Sequence, residues 1–405
     1  METLVLNSKE YSFHNDIKEY QAENGLFYSI SEDEQFVKVR KAISEGEDVI
    51  DLFIPNEVII DDKTYPVREI SLNSLGFGGK HKLGKVSFPA NLKNAEFDAS
   101  KIETLYINGC RDLKLRYVVS NKVYYDTLET LLSINKGTDS EQIFIAGEEL
   151  VDLIIPEGVT TLPERFVSKC KGLRSLTLPS SLKEIPYNAF GDCSNLASVT
   201  LPEGLEKIGT WAFIDCESLK EVILPSTIKT IGAYALQHTD IEKIVIPDNV
   251  EKMEDGVFRF CFRLKEVKLP NSLQVIDREM FRCCESLTEI VLPQSLTSIK
   301  EFAFAFTALK KITIPANVKE IESYIFERCK MLTDVYCEII DPTQCNVKTL
   351  DGQGWGMQWN EYRWESSKEV FYNNATLHLS NVKGIISAYK KKAAWKKFAN
   401  IVADL

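Results

Sequence analysis

The residues of this chain that could do chemistry are ten cysteines and four histidines. Most of the cysteines recur at nearly constant intervals, and such a row could form a ladder of disulfides or supply thiolates to zinc. The recurring ones are Cys170, Cys193, Cys216, Cys261, Cys284 and Cys329. No Cys-x-x-Cys occurs, and Cys283 and Cys284 are simply neighbours in sequence, so the pattern does not indicate a zinc site.

Neither the histidines nor the acidic residues form a catalytic pattern. No two of His14, His81, His238 and His378 lie within one helical turn of each other, which gives no support to a metal site or a histidine-based triad. No Gly-x-x-x-x-Gly-Lys phosphate loop is present. The carboxylates scatter over the chain, and no catalytic pair can be singled out. We therefore predict a protein that is not an enzyme and that needs no metal or cofactor.

Charge and hydropathy exclude two further classes of function. The net charge of -11 and the pI near 5.2 argue against a nucleic-acid partner, because neutralising phosphates requires a basic surface. No apolar stretch approaches the roughly 20 residues that span a bilayer, so no membrane-spanning segment is expected. The N-terminal Met1-Glu2-Thr3-Leu4 has no signal-peptide pattern, which predicts either an intracellular protein or a chain from which such a segment was removed.

The cysteines belong to an internal repeat. Prolines that follow a short apolar run are separated by 23, 23, 23, 22, 23, 23 and 22 residues, and they are Pro156, Pro179, Pro202, Pro225, Pro247, Pro270, Pro293 and Pro315. Leu-x-x-Leu-x-Leu precedes each proline, and an apolar pair and then Ala-Phe follow it. A Cys comes next, or a Thr (Thr239 and Thr307) in the two units of 22 residues. A period of this length is the signature of a solenoid.

The physics of one unit follows from these residues. The leucine run is a short strand with alternate residues pointing inward, and proline ends it because proline cannot donate to a ladder. The later apolar residues form a return leg, and stacking about a dozen such coils buries a continuous core. Cysteines of adjacent coils would then lie about 5 Å apart with parallel side chains, a geometry that seldom allows a disulfide. We expect free, buried thiols rather than a disulfide ladder.

The unit read at Leu196 to Leu219, Leu-x-x-Val-x-Leu-Pro-x-x-Leu-x-x-Ile-Gly-x-x-Ala-Phe-x-x-Cys-x-x-Leu, resembles the BspA-like leucine-rich repeat family, also called the Treponema pallidum type. The residues at 58–70 and 393–402 are similar to the N-terminal hairpin and the terminal cap of bacterial members. The resemblance implies surface-exposed or secreted proteins that bind host or bacterial proteins, with no shared catalytic residues. An extracellular or cell-surface location is therefore expected from the resemblance, with an intracellular one as the alternative.

The predicted fold is an α/β repeat, a right-handed leucine-rich-repeat solenoid with a parallel β-sheet. A β cap that includes a hairpin is expected at 1–48, the solenoid at 49–338, and a C-terminal cap at 339–405 that ends in a helix from about 382 to 403. A β-rich insertion is expected at about 117–146. Within the solenoid, a second hairpin is expected to turn at Asp61-Asp62-Lys63.

The outward positions of the strands are the first candidate for a binding surface. One row contains Ile223, Val245, Lys268, Val291 and Tyr336, and the row two residues earlier contains Glu221, Lys243, Glu266, Glu289 and Lys311. Together they predict an extended strip for protein–protein interaction. The alternative is that β-branched residues simply suit a pleated surface and that the charges keep an exposed sheet from aggregating.

A second hypothesis concerns Trp355, Trp359 and Trp364, which crowd a Gly-containing segment. Aromatic side chains on a loop can stack on sugar rings, which would make this segment a glycan-binding site. The alternative is that these rings pack inward and close the end of the solenoid.

Overall fold

The protein is a β-solenoid of parallel strands with about 12 turns and little helix. The computed structural model describes most of the chain, namely residues 4–6, 10–13, 17–21, 26–42, 50–72, 83–97, 101–107, 109–110, 112–116, 119–134, 139–348 and 375–405. No helix in these ranges is both long and apolar enough to cross a membrane.

The chain forms two compact units. The first contains Met1–Leu153, Leu162–Leu173 and Asn188–Cys193, and the second contains Ile154–Thr161, Arg174–Tyr187 and Ser194–Leu405. The strands up to residue 149 are β1 (Leu4–Leu6), β2 (Glu10–Phe13), β3 (Ile17–Gln21), β4 (Leu26–Ile30), β5 (Val37–Ala42), β6 (Ile50–Phe53), β7 (Glu57–Ile60), β8 (Lys63–Leu72), β9 (Leu83–Phe88), β10 (Asn94–Phe97), β11 (Lys101–Ile107), β12 (Lys114–Arg116), β13 (Val119–Tyr125), β14 (Asp139–Ile145) and β15 (Glu148–Glu149).

The first unit contains the hairpins that the sequence predicts. β4 and β5 pair antiparallel, and β5 then pairs in parallel with β8. β7 and β8 form a second antiparallel hairpin that turns at Asp61 and Asp62. Both turn residues have positive φ, at 50° and 63°, the conformation that a tight two-residue hairpin loop requires.

The segment expected to be a β-rich insertion, 117–146, instead contributes strands to the parallel sheet. β13 pairs in parallel with β11 on one side and with β14 on the other, in unbroken register, so these strands occupy successive coils. The sequence concealed this because the proline that marks later coils is missing here. A short helix, α1 (Leu128–Ser133), lies between β13 and β14, and the Thr127 hydroxyl accepts a hydrogen bond from the Thr130 amide at its start.

The strands from residue 152 onward are short and fall into two sets. The first set lies on the leg of the coil that precedes the proline in the regular repeats, and it comprises β16 (Asp152–Ile154), β17 (Ser175–Thr177), β19 (Ser198–Thr200), β22 (Lys243–Val245), β24 (Glu266–Lys268), β27 (Lys311–Ile314), β29 (Asp334–Cys337), β31 (Thr376–Leu379) and β32 (Asn400–Ala403). The set on the return leg comprises β18 (Glu184–Ile185), β20 (Lys207–Ile208), β21 (Thr230–Ile231), β23 (Lys252–Met253), β25 (Val275–Ile276), β26 (Ser298–Ile299), β28 (Glu320–Ile321) and β30 (Asn346–Val347).

The prolines act as predicted, ending each strand and starting a turn. The Pro179 carbonyl accepts a hydrogen bond from the Leu182 amide at 3.2 Å, and the Pro270 carbonyl accepts one from the Leu273 amide at the same distance. The turn directs the apolar residue that follows into the core, where Leu182 is fully buried.

Beyond this turn, successive backbone amides donate hydrogen bonds alternately to a carbonyl of their own coil and to a carbonyl of the next coil. The amides of Trp211, Phe213 and Asp215 donate to carbonyls one coil further on, at 2.9 Å each. The intervening amides of Ala212 and Ile214 close turns within their own coil. Trp211 and Asp215 have positive φ, 61° and 55°, which tilts alternate peptide groups toward the neighbouring coil.

Phenylalanine rings stack along the core of the second unit. Phe281 lies between Phe258 and Phe304, with ring centroids 5.7 Å from each and the planes nearly parallel. In the first unit, Val167 takes the position that Phe190 holds in the following coil, and its amide donates to the Ala189 carbonyl. The preceding Phe166 consequently meets Phe190 edge-on. Because Val167 holds the core position in this coil, the spacing from Phe166 to Cys170 is one residue longer than the spacing from Phe to Cys in later coils.

All ten cysteines are free and buried, as predicted. Those at the repeated position donate to the carbonyl of the previous coil, as Cys284 does to Phe258 and Cys329 does to Phe304, both at 3.1 Å. In a 22-residue unit the Thr307 hydroxyl donates to the same Phe304 carbonyl at 2.8 Å. Threonine therefore fills this corner with a hydrogen bond inside its own coil, whereas cysteine bonds to the previous coil.

The C-terminal cap differs from the continuous helix predicted for 382–403. It contains α2 (Ile385–Lys390), a 3-10 helix at Trp395–Lys397 and then β32, which pairs in parallel with β31. The apolar residues spaced for a helix are used otherwise: Tyr389 and Trp395 pack on each other inside the cap, whereas Ile401 adds to the solenoid sheet.

We predict that Phe281→Ala lowers the free energy of unfolding by about 3–5 kcal/mol, because it removes a fully buried ring that touches two others. The control is Met331→Ala, whose side chain is 53% exposed and should change stability by less than about 0.5 kcal/mol. Urea denaturation followed by circular dichroism measures both. Equal losses for the two variants would contradict the stacked core.

We also predict that the native cysteines react slowly with iodoacetamide. Burial raises the pKa of the Cys261 and Cys337 thiols to about 11, so little thiolate forms at neutral pH. Cys283, which is 9% exposed, should be alkylated first. Mass spectrometry after timed alkylation provides the test, with urea-unfolded protein as the control in which all ten react. Rapid modification of Cys261 in the native protein would contradict its burial.

Candidate functional site

On the leg of the coil that precedes the proline in the regular repeats, the outward residues form a row along the second unit, which we call the sheet-face row. Its members are Ile154, Thr177, Thr200, Ile223, Val245, Lys268, Val291, Thr313, Tyr336, His378 and Val402. The pairings place Val245 beside Lys268, and Tyr336 between Thr313 and His378. His378 and Val402 were missed by the sequence analysis, because the repeat pattern stops before them.

The sheet-face row exposes large aliphatic side chains to solvent. Val291 is 84% exposed, Ile223 is 75% exposed and Val245 is 59% exposed. Their inward neighbours Ile290, Val222 and Ile244 are buried. The alternation of a strand explains this contrast, since successive side chains point to opposite faces.

Charged side chains flank the aliphatic residues on one side. Lys243 and Glu266 form an ion pair at 3.0 Å, and Lys311 lies 4.0 Å from Glu289. Glu221 is exposed and begins the same flank. Since these pairs are solvent-exposed, each contributes little to stability, and their opposite signs mainly prevent repulsion between neighbouring coils.

The sheet beneath the row is not continuous, contrary to the expectation of one parallel face. No backbone hydrogen bond joins Glu221–Leu224 or Glu289–Leu292 to either neighbouring coil, although both segments lie within the fully described range 139–348. The strands here are three or four residues long, so a small offset between two coils removes the whole ladder. Ile223 and Val291, two strongly exposed members of the row, lie on these unpaired segments.

At its C-terminal end, the row contains a histidine held by two carboxylates. The His378 ring stacks on Tyr336 with the centroids 4.5 Å apart. Its Nε2 lies 2.9 Å from Asp334 Oδ1, and its Nδ1 lies 3.0 Å from both oxygens of Asp404. Both ring nitrogens must carry protons to satisfy these contacts, so the arrangement favours the imidazolium.

The pKa values follow from this geometry. Partial burial acts to lower the pKa of His378, but the hydrogen bonds to Asp334 and Asp404 outweigh it, and the pKa lies above the ordinary 6.5. The hydrogen bond from His378, followed by that from Thr333, holds the pKa of Asp334 below 3.8. This contact ties β31 to β29 and to the end of the chain.

The return leg carries a second surface, which the sequence analysis missed. Aromatic side chains recur two residues before or after the core Phe position, at Trp211, Tyr234, Phe260, Phe302, Phe306 and Tyr324. All have positive φ, and all are partly or well exposed. Among them, the buried Glu279 binds Arg282 and Arg259, and the Arg282 guanidinium lies 5.0 Å from the centre of the Phe302 ring. The recurrence of aromatic residues at these positions was the sequence signal that could have revealed this surface.

Trp355, Trp359 and Trp364 lie outside the described residues, so glycan binding by that segment stays a prediction. Among the residues that the structure describes, no group of three or more His, Cys, Asp or Glu side chains could hold a metal ion.

A family model described as a BspA type leucine rich repeat region matches this chain in six copies, over residues 140–265 and 252–340. A leucine rich cell surface protein from Faecalibacterium prausnitzii has a similar solved structure, with a TM-score of 0.53 and 21% sequence identity over 82% of this chain and 95% of that one.

Two further solved structures align less closely. A leucine-rich repeat protein from Bacteroides ovatus is 23% identical over 80% of this chain and 88% of its own, with a TM-score of 0.47. The pneumococcal vaccine antigen PcpA is 16% identical over 96% of this chain and 98% of its own, with a TM-score of 0.48. No curated protein sequence matches the chain. At these identities the structural likeness concerns the fold alone.

We predict that the His378 contact strengthens toward mildly acidic pH. Because the pKa of folded His378 is raised, its stabilisation is complete below about 6.5 and is lost as the pH rises through the folded value. The Asp334 contribution, from a lowered pKa, is present above 3.8 and is lost as the pH falls further. NMR titration should give His378 a pKa above 6.5, and Asp404→Asn should bring it closer to 6.5. A value below 6.5 in the unmodified protein would contradict the proposed contact.

Proposed function

Because the chain belongs to the BspA-type leucine-rich repeat family, we propose that it is a non-catalytic protein that binds another protein through the sheet-face row. The observation that carries the proposal is the outward exposure of Ile223, Val245 and Val291 on one face, at 59–84%. Stable soluble folds rarely leave several large aliphatic side chains this open along one line unless a partner covers them.

The flanking charges supply specificity. Glu221, Lys243, Glu266, Glu289 and Lys311 mix both signs along the row, so a partner needs a complementary pattern of charge to dock without repulsion. The aliphatic centre with a charged border has the composition of a protein interface, in which the central part loses water and the rim stays hydrated. Tyr336, stacked on His378, adds an amphipathic ring at one end of the strip.

We further propose a location on the cell surface or outside the cell, with a surface protein of the host or of another bacterium as the partner. The name of the Faecalibacterium protein, a leucine rich cell surface protein, supports this location.

The test is affinity capture from host and bacterial surface extracts with the unmodified protein and with Ile223→Lys/Val291→Lys. We expect the double variant to lose at least tenfold in affinity for a captured partner, because each lysine removes buried apolar area and adds a desolvation cost. Surface plasmon resonance measures the change.

Two further variants make the result specific to the row. Ile340→Lys changes another exposed aliphatic residue, 61% exposed, outside the row, and should bind like the unmodified protein. Charge reversal at Glu221, Glu266 and Glu289 should weaken the same partner. A partner that binds the unmodified protein, Ile223→Lys/Val291→Lys and the charge-reversed variant equally would refute the sheet-face site.

A further inference from the structure

A cavity of about 620 Å³ lies at the end of the return-leg sheet, between the segment 343–348 and the cap residues 392–397. Its walls contain Lys319, Lys348, Lys392 and Lys397, and none of the described residues that line it is acidic. In a chain with a net charge of -11, four lysines around one opening form a local positive field.

The positive charge is only partly compensated. Lys348 lies 3.8 Å from Glu322, a carboxylate that already binds Lys300 at 3.4 Å. Neither Lys319 nor Lys392 forms an ion pair with an acidic side chain in the part of the chain that the structure describes. The field therefore suits an anionic ligand.

One wall of the cavity is a strand edge with which no further strand of the described residues pairs. β30 pairs in parallel with β28 on one side, where the Asn346 and Lys348 amides donate to the Lys319 and Ile321 carbonyls. In a parallel strand the peptide groups of alternate residues point to opposite sides, so the amide and carbonyl of Val347 point away from β28. β30 is the last strand of its sheet among the described residues, and Val347 lines the cavity.

A buried donor without a partner stands in the same wall. Trp395 is 1% exposed, and its Nε1 has no hydrogen-bond partner among the residues that the structure describes, although a buried indole N–H normally finds one. An acceptor brought by a ligand, after a small shift of the side chain, would relieve this unsatisfied group.

From these features we propose that the cavity binds an extended acidic segment of a partner protein. The main chain of that segment adds to the β30 edge at Val347, and its carboxylates pair with Lys319 and Lys392. The free edge favours a peptide over a small anion, because main-chain hydrogen bonds need a second strand. The site shares no residue with the sheet-face row, and the proposal does not rest on the function proposed above.

The probe is a fluorescent hexapeptide of alternating glutamate and valine, measured by fluorescence anisotropy with the full chain. We expect saturable binding that weakens as the salt concentration rises, and no binding of the same peptide with lysine in place of glutamate. A peptide N-methylated at alternate residues should bind at least tenfold more weakly, because it cannot complete the edge ladder.

The variant Lys319→Glu/Lys392→Glu should reduce affinity for the acidic peptide by tenfold or more. Lys391→Glu is the matched control, since it reverses the charge of an exposed lysine in the same cap that does not line the cavity. The double variant and the control both keep charged side chains at the substituted positions, and circular dichroism verifies that each protein is folded. Lys319→Ala and Lys392→Ala provide milder versions if the double reversal perturbs the fold.

Two results would overturn the proposal. One is peptide binding that the Lys319 and Lys392 variants leave unchanged. The other is binding of inorganic pyrophosphate at this cavity, lost in the same variants, with no binding of the acidic peptide, which would make the cavity a small-anion site.

Discussion

Backbone hydrogen bonds join residues one repeat apart, and this constraint places each coil directly over the one before it. The Gly232 amide donates to Ile208 at 2.8 Å, and the Phe281 amide donates to Ala303 at 2.9 Å. Every side chain in the interior therefore has its own counterpart about 5 Å above and below. Residues that pack well on copies of themselves are favoured, which accounts for the stacked phenylalanines. It also accounts for the thiols at the repeated position, such as Cys284, which donates to a carbonyl of the neighbouring coil.

The same constraint acts on the outside, where stacked copies of one charge would repel. The protein alternates signs between coils instead: Lys229 pairs with Glu206 and Lys265 pairs with Glu242, both at 2.7 Å. Exposed pairs of this kind add little free energy individually. Their value is that the outward rows stay compatible with the stacking that the core requires. The sheet-face row departs from this polar pattern at Ile223, Val245 and Val291, and these departures are what suggest a binding surface.

The return leg shows how the backbone accommodates this stacking. Non-glycine residues such as Trp211 and Phe302 adopt positive φ, a conformation that costs roughly 1–2 kcal/mol for most side chains. The cost is offset because it turns alternate amides toward the next coil, where they find carbonyl acceptors, and because it lets the core Phe of each coil point inward. At Gly256 the absence of a side chain makes room for the Tyr234 ring, which a Cβ would meet at 2.2 Å.

The 23-residue period, read from the prolines and leucines alone, determined the solenoid, the direction of each strand residue and the burial of the cysteines. These properties depend on local alternation and on a repeat that every coil shares. Tertiary structure decided what lacks a repeat. It made β13 and β14, in the segment expected to be an insertion, part of the sheet, divided the expected C-terminal helix into α2, a 3-10 helix and β32, and interrupted the sheet beneath Ile223. It also brought His378 between Asp334 and Asp404, residues 44 and 26 positions away in sequence. Contacts over such distances depend on how the last coils stack and not on any local pattern, so no spacing in the sequence could reveal them.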